Sequence, residues 1–347
     1  MANPRAADWR PRAVQYVWVS AGAAKGSSER LAMLDGWRAV SIVAVLAGHL
    51  VPLNIFIAGA NETAGLFGMA VFFTLSGFLI TRFLVERPDP QAFIIRRAFR
   101  ILPLAWVGVM AAFAIDGGDA SLAKLVANLL FYANLPPIQL FDAGAHLWSL
   151  NVEVQFYGAV ALAVALFGRR ALYALPVASL AVTAVRIASG THFSIVTWFR
   201  IDEILAGALI ALIWSGWFGA RTKALLGTTN TWLAALFAVA ACYYADTPLA
   251  YFRPYAVALM VASTLAGAPV LLEKLLTSRT ATYVAATSYA LYVFHALLAA
   301  TWLGSGDDVE KYLKRPLLFG ATFLLAHLST YYFEKRFIDW GKRLTQR

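Results

Sequence analysis

Two residues near the start of the chain, an arginine and a histidine, are ionisable side chains within one apolar stretch. His49 follows Arg38 by eleven residues within one long apolar stretch. On a helix this spacing is roughly 16 Å, about half the hydrocarbon thickness of a bilayer. Ionisable residues at such depth are costly and usually mark a function. A neutral imidazole, with an unperturbed pKa of about 6.5, can act there as a general base. We expect Arg38 at the inner boundary and His49 near the midplane.

A carboxylate is the second candidate for this site. Glu153 lies in a later apolar stretch that begins at about Leu147, which places it roughly 9 Å from the opposite face. This depth is close to that of His49, so Glu153 can orient the imidazole if the two helices touch. Asp35 lies about 21 Å from His49 along the first helix, which is too far. We expect Asp35 to cap that helix, or to hold Arg38 or an arginine of the next inner loop.

Three arginines cluster in the second inner loop, which reads Arg96-Arg97-Ala98-Phe99-Arg100. Guanidinium groups bind phosphate oxygens through paired hydrogen bonds, so Arg97 and Arg100 suit a polyphosphate such as coenzyme A. The same cluster suits a topology signal that anchors the loop to anionic lipid. The residues alone support the coenzyme A site and the topology signal about equally.

Other ionisable residues in apolar stretches have ready structural explanations. His295 and His327 also fall near mid-membrane, where a lone histidine is more often a hydrogen-bonded contact between helices than a catalyst. Asp202 lies about a turn into another stretch, where it can pair with Arg200 or Arg186. We keep His295 and Asp202 as further site candidates.

The composition indicates an integral membrane protein. Of the 347 residues, 60% are hydrophobic and only 14% are charged, whereas a soluble domain has about 25% charged residues. The single cysteine, Cys242, excludes an intrachain disulfide and a cysteine-cluster metal site. The formal charge of +10 comes from short basic clusters between apolar stretches, which is typical of membrane topology and not of nucleic-acid binding. HExxH, Walker, GxSxG and GxGxxG motifs are lacking, so we expect no metal, no serine-hydrolase chemistry and no nucleotide hydrolysis.

Ten apolar stretches approach the length of about 20 residues that a spanning helix needs. With the N-terminus inside, 21 of the 29 Lys and Arg residues fall in inner segments and 5 in outer ones, as the positive-inside rule requires. We therefore predict an all-α membrane bundle of about ten transmembrane helices, with both termini cytoplasmic, in the cell (inner) membrane. The predicted domains are a basic tail at 1–33, a membrane domain at 34–337 and a second basic tail at 338–347. The predicted spans begin near Trp37, Leu66, Ile101, Leu147, Leu172, Phe199, Trp232, Tyr255, Tyr283 and Pro316.

Seven short segments carry further information through their order along the chain. They are LDGWRA with His49 (34–49), FFTLSGFLI (72–80), RAFR (97–100), HLWSLNVEVQFY (146–157), RIDEILAG (200–207), SYALY with His295 (288–295) and YFEK (332–335). Together they resemble the motifs of membrane-bound acyltransferases of the acyltransferase 3 type. The sequence departs from that pattern at Val154, where the family has a second acid, at Ala296-Leu297 and at Arg336.

The resemblance implies O-acyl transfer, commonly of acetyl from acetyl-CoA, to a hydroxyl of a sugar, a polysaccharide or another glycosylated acceptor. His49 then acts as the catalytic base with Glu153 beside it, and the family motif adds His146 to the candidates. Arg38, together with the two arginines of the RxxR segment, is expected to bind the acyl-CoA co-substrate. The expected partners are the lipid bilayer, acyl-CoA and a glycan, without nucleic acid.

Three alternatives stay open at this point. A covalent acyl-histidine intermediate can replace general-base catalysis. A proton-coupled transporter with His49, Glu153 and Asp202 as a relay fits the composition and topology equally well, although it would not consume acetyl-CoA. A non-catalytic membrane subunit with the same fold would tolerate the loss of His49.

Overall fold

The computed structural model describes residues 25–119 and 121–346, and every regular element in that part of the chain is helical. This agrees with the predicted all-α class. Residues 1–24 of the predicted N-terminal tail lie outside the described residues, and the predicted C-terminal tail is mostly helical. The α-helices are α1 (Lys25–Leu50), α2 (Ala60–Glu86), α3 (Pro90–Asp116), α4 (Leu122–Leu129), α5 (Trp148–Phe167), α6 (Ala174–Ala188), α7 (Thr197–Arg200), α8 (Asp202–Trp214), α9 (Gly219–Gly227), α10 (Thr231–Tyr243), α11 (Arg253–Gly267), α12 (Val270–Leu276), α13 (Arg279–Ala299), α14 (Asp308–Leu313), α15 (Arg315–Leu328) and α16 (Lys335–Leu344).

The number of possible membrane spans is smaller than predicted. Within the described residues six helices are long and apolar enough to cross a membrane, or seven if the pair α8–α9, bent by 114°, counts as one. The count of ten is therefore not confirmed. Part of the difference arises because some helices are shorter than a span: α10 has 13 residues and α15 has 14. Two predicted spans fall together in the 44-residue helical stretch Ala145–Ala188, which contains Gly168 at a positive φ of 61°.

Helix α1 is held on several sides by its neighbours. It packs between α2 and α13, and α13 packs in turn on α15. The hydroxyl of Ser41 donates to the carbonyl of Gly68 in α2 at 2.7 Å. The indole of Trp37 donates to the hydroxyl of Thr264 in α11 at 3.0 Å. These contacts fix α1 against α13, which brings residues of the two helices into one site.

Helices α2 and α8 approach so closely that only glycine fits between them. A Cβ on Gly77 would lie 1.8 Å from the carbonyl oxygen of Ile204, and one on Gly207 would lie 2.0 Å from that of Thr74. Small residues permit such backbone contact between membrane helices. The contact fixes the rotation of α2, and hence the direction of Ser76 beside Gly77.

The arginine cluster lies on a helix and not in a loop. Residues 90–100, predicted to precede the third span, form the first turns of α3. Asp89 caps this helix by accepting from a backbone N–H three residues on, at 2.9 Å, and Pro90 occupies its first turn. Both are strong helix-start signals. Helix α3 therefore holds Arg97 and Arg100 on a regular helix that ends at Asp116.

Candidate active site

Two histidines from α1 and α13 form a direct hydrogen bond. Nδ1 of His49 lies 2.8 Å from Nε2 of His295, and the two ring planes are within 6° of parallel. His295 is fully buried, whereas His49 is exposed in the last turn of α1. The first possible span is Ala32–Leu50, so His49 lies at its end and not near its middle as predicted. Pro52, which lacks the N–H needed to continue a helix, follows shortly after this end.

The contacts of the pair assign a proton position to each ring. Nδ1 of His295 lies 2.7 Å from the carbonyl oxygen of Tyr292 and 3.2 Å from that of Leu291, so this nitrogen carries a proton and donates it. The other nitrogen of a neutral imidazole is an acceptor. Nε2 of His295 therefore accepts from Nδ1–H of His49, and Nε2 of His49 keeps its lone pair. A hydrogen bond of this kind selects the tautomer of a functional histidine.

A third histidine, His146, packs against this pair. Its ring centroid lies 5.2 Å from that of His295 and 5.4 Å from that of Tyr292. Nε2 of His146 lies 3.2 Å from the carbonyl oxygen of Val293, while its buried Nδ1 has no hydrogen-bond partner among the described residues. The hydroxyl of Tyr292 donates to the carbonyl of His146 and accepts from Ser149, with the two hydroxyl oxygens 2.6 Å apart. In the described part of the chain no group of three or more His, Cys, Asp or Glu side chains is arranged to hold a metal ion.

The three arginines predicted to bind the cofactor line one pocket, with an empty volume of about 490 Å³. Arg38 comes from α1, where Asp35 holds it through an ion pair of 2.9 Å, one of the roles expected for that carboxylate. Arg97 and Arg100 come from α3. The guanidinium of Arg97 is buried, and it lies 5.2 Å from the ring centroid of Tyr157. The remaining residues of the lining are Phe72, Leu75, Ser76, Leu79, Ile101, Glu153, Tyr157, Ser288 and Tyr289.

Glu153 lies in this arginine pocket and not beside His49. Its buried carboxylate accepts hydrogen bonds from the hydroxyls of Ser76 and Tyr157. The hydrogen-bond partner of His49 is His295, so the structure does not bring Glu153 to the imidazole that it was expected to orient. The carboxylate instead supplies a negative charge among the pocket arginines.

A second cavity, with an empty volume of about 320 Å³, adjoins the arginine pocket and leads towards the histidines. Four residues line both cavities: Arg38, Phe72, Ser288 and Tyr289. Tyr292, whose ring contacts those of His146 and His295, also lines the second cavity. Four residues of α1 line the second cavity: Arg38, Ser41, Ile42 and Val45. These positions follow the i, i+3, i+4, i+7 pattern of one helix face, and His49 is the next position on that face. The cavities therefore follow α1 from the arginines almost to the histidine pair.

Asp202, kept as a candidate, belongs to a separate buried ionic cluster. It forms an ion pair with Arg186, one of the partners expected for it. The neighbouring Glu203 contacts Arg200 at 2.7 Å and Arg253 at 2.8 Å. All five side chains are at most 1% exposed. The cluster of three cations and two carboxylates joins α6, α7, α8 and α11, and its residues do not line the cavities described above.

The site residues that sequence reasoning missed are hydroxyls within apolar helices. Ser76 and Tyr157 bind the carboxylate in the arginine pocket, and Tyr292 connects the histidine cluster to the second cavity. A buried hydroxyl needs a hydrogen-bond partner, so its presence in an apolar span is itself a signal. All three residues fall within the seven segments identified above.

The fold and the site define a multi-pass helical membrane protein with an arginine-lined pocket, an adjoining cavity and a pair of histidines beyond it. The family model described as an acyltransferase domain, Acyl_transf_3, matches residues 31–335. The chain therefore belongs to this acyltransferase family, and the resemblance found in the motifs is confirmed.

Two relatives show the range of the similarity. The chain is 24% identical to the peptidoglycan O-acetyltransferase OatA of Listeria monocytogenes, over 87% of this chain and 54% of that protein. It is 27% identical to the "Putative peptidoglycan O-acetyltransferase YrhL" of Bacillus subtilis, over 90% of this chain and 56% of that protein. The chain thus spans about half the length of these relatives. No solved structure matches it.

Proposed function

We propose that the protein is an O-acyltransferase that moves a short acyl group, such as acetyl, from acyl-CoA to a hydroxyl group of a glycan. The observation that carries this proposal is the run of cavities along one face of α1, from the three arginines to Tyr292, whose ring contacts that of His295. Family membership supports acyl transfer, and the names of the relatives support a glycan as the acceptor.

The arginine pocket provides the donor site. Coenzyme A carries several phosphate charges, and a guanidinium group binds phosphate through paired, charge-assisted hydrogen bonds. Arg38, Arg97 and Arg100 supply three such groups around one opening. In the predicted orientation this end of the bundle faces the cytoplasm, where acyl-CoA is available. The thioester then extends from the arginines into the second cavity, towards Tyr292 and His49.

The histidine pair provides the base. Nε2 of His49 takes the proton of the acceptor hydroxyl as its oxygen attacks the thioester carbonyl carbon. The tetrahedral intermediate collapses, the carbon–sulfur bond breaks, and the imidazolium returns the proton to the departing thiolate. The products are the acyl ester and free coenzyme A. During this exchange Nδ1–H of His49 remains hydrogen-bonded to Nε2 of His295, which stabilises the transient positive charge. A positioned base of this kind typically contributes 10²- to 10⁴-fold to the rate.

The exposure of His49 supports an acceptor that approaches from the end of α1 opposite the arginines. His295 is fully buried and occupies Nδ1 of His49, so Nε2 of His49 is the nitrogen that an acceptor hydroxyl can use. A glycan hydroxyl can reach this nitrogen without passing the arginine pocket. Donor and acceptor thus enter from opposite ends of the cavities and meet at the histidine.

Thiol release from acetyl-CoA by the purified full chain in nanodiscs, with a peptidoglycan fragment as acceptor, tests the proposal. His49→Ala should lower the rate of thiol release at least about 10²-fold, because the base is lost. His327→Ala is the matched control: this membrane histidine bonds to Tyr283 at 3.2 Å and does not line the cavities, so its loss should leave turnover intact. Full activity of the His49 variant would refute the base. Failure of the wild-type protein both to bind coenzyme A and to release thiol would favour a transporter.

A further inference from the structure

The C-terminal helix α16 has a basic face that the proposed catalysis does not use. Lys335, Arg336, Lys342 and Arg343 occupy positions i, i+1, i+7 and i+8, which project to one side of a helix. Lys335, Arg336 and Arg343 are exposed and form no ion pair with any other described residue. Lys342 is partly exposed and lies 3.5 Å from Asp339, the sole acidic residue of α16.

The opposite face of α16 packs against the first turns of α3. A Cβ on Gly341 would lie 2.8 Å from Cβ of Phe99, so only glycine allows this approach. The ring of Trp340 meets the ring of Phe99 edge-on, with centroids 5.1 Å apart. Nε of Arg96 donates to the hydroxyl of Thr345 at 2.7 Å, just beyond the helix end. These contacts fix the rotation of α16 and hold its basic face away from the bundle.

The connection to α15 also fixes where α16 begins. The two helices are joined by a π-helical segment, Ser329–Glu334. The buried carboxylate of Glu334 accepts hydrogen bonds from the hydroxyls of Ser329 and Thr330, both at 3.1 Å. This local network ties α16 to the end of an apolar helix, next to the start of α3. The basic face is therefore presented by a fixed element at one end of the bundle.

We propose that α16 lies in the headgroup layer of the membrane and that its basic face binds the phosphate groups of anionic phospholipids. A basic helix face bordered by apolar and aromatic residues is typical of interfacial helices. Trp340 remains 55% exposed and Leu344 46% exposed at the edge of the basic face, and indole rings favour this depth. Four cations against one carboxylate give α16 a net charge of +3, which complements an anionic leaflet. The proposal concerns a lipid site and does not depend on the acyl-transfer chemistry.

Native mass spectrometry of the full chain in detergent, titrated with phosphatidylglycerol or phosphatidylcholine, tests this lipid site. The wild-type protein should retain phosphatidylglycerol in preference to phosphatidylcholine. Neutralising the basic face should lower that preference at least about tenfold, since each cation near an anionic surface strengthens binding. The matched control removes four exposed cations elsewhere, so both variants fall from the net charge of +10 to +6. The two variants are K335Q/R336Q/K342Q/R343Q and R169Q/R170Q/R221Q/K223Q.

The control and a milder variant make the result decisive. Equal losses in the two quadruple variants would show general charge attraction and overturn the site, as would equal retention of both lipids by the wild-type protein. The double variant K335Q/R343Q guards against misfolding, because both side chains are exposed and form no ion pair with a described residue. It should keep the wild-type melting temperature in phosphatidylcholine nanodiscs and still lose several-fold of the lipid preference. An unchanged preference in this folded variant would refute the proposal.

Discussion

Replacing His295 by phenylalanine removes the hydrogen-bond acceptor behind the proposed base and leaves the arginine pocket untouched. In the transition state His49 becomes an imidazolium, and its Nδ1–H is held 2.8 Å from Nε2 of His295. A hydrogen bond to a charged group contributes about 1.5–3 kcal/mol. At about 1.4 kcal/mol per tenfold in rate, its loss should lower kcat by roughly 10- to 150-fold. The KM for acyl-CoA should change little, because His295 does not line either cavity.

The assay is the initial rate of thiol release by the protein in nanodiscs, measured over a range of acyl-CoA concentrations. His295→Gln is the conservative partner, since its amide oxygen can accept the hydrogen bond of His49 and should restore part of kcat. His327→Phe is the matched control for a membrane histidine outside the site. A wild-type kcat in folded His295→Phe, or a loss expressed only in KM, would refute the assigned hydrogen bond and tautomer.

Three further predictions follow from the pocket and the helix contacts. Arg97→Ala and Arg100→Ala should each raise the KM for acyl-CoA about tenfold or more, because a charged phosphate contact is lost; an unchanged KM would leave these arginines a purely structural role. Phe72→Ala removes a side chain that lines both cavities and so enlarges them. The ratio of kcat/KM for butanoyl-CoA to that for acetyl-CoA should therefore rise. An unchanged ratio would exclude Phe72 as the limit on acyl length. Gly77→Ala should lower the free energy of unfolding by about 1–3 kcal/mol or more through overpacking, whereas Gly158→Ala, which meets open space, should be neutral in thermal unfolding.

The sequence predicts the helical class, the family and the grouping of the arginines. Each of these follows from local information: apolar stretches, motif order and arginines spaced on one helical turn. The prediction that Arg38, Arg97 and Arg100 serve one site requires only that they lie at the same end of the bundle. The structure places all three around one pocket.

The partner of His49 was not predictable in the same way. His49 and His295 are 246 residues apart, and their contact depends on how α13 packs against α1. The similar depths of His49 and Glu153 in the membrane suggested Glu153 as the partner. Depth alone does not show which helices are in contact. The start of α3 was within reach of sequence reasoning, since Asp89-Pro90 is a helix-start signal. The separate spans predicted from Leu147 and Leu172 agree with the break at Gly168. The count of ten is not confirmed because helices such as α10 and α15 are short, and apolar composition alone does not show where a helix ends.

The buried ionic cluster constrains how the chain is built into the membrane during synthesis. Glu203 leaves the ribosome fifty residues before Arg253, yet both side chains are fully buried against each other in the folded protein. Arg186 and Arg200 are made before α11 and already supply two cations for the carboxylates of Asp202 and Glu203, so the charges of α6, α7 and α8 balance before α11 arrives. Helix α11 has no acidic residue of its own, and Arg253 pairs with Glu203. Breaking a buried ion pair costs about 3–5 kcal/mol. We therefore expect α11 to bury Arg253 only by docking on the carboxylate that α8 already presents.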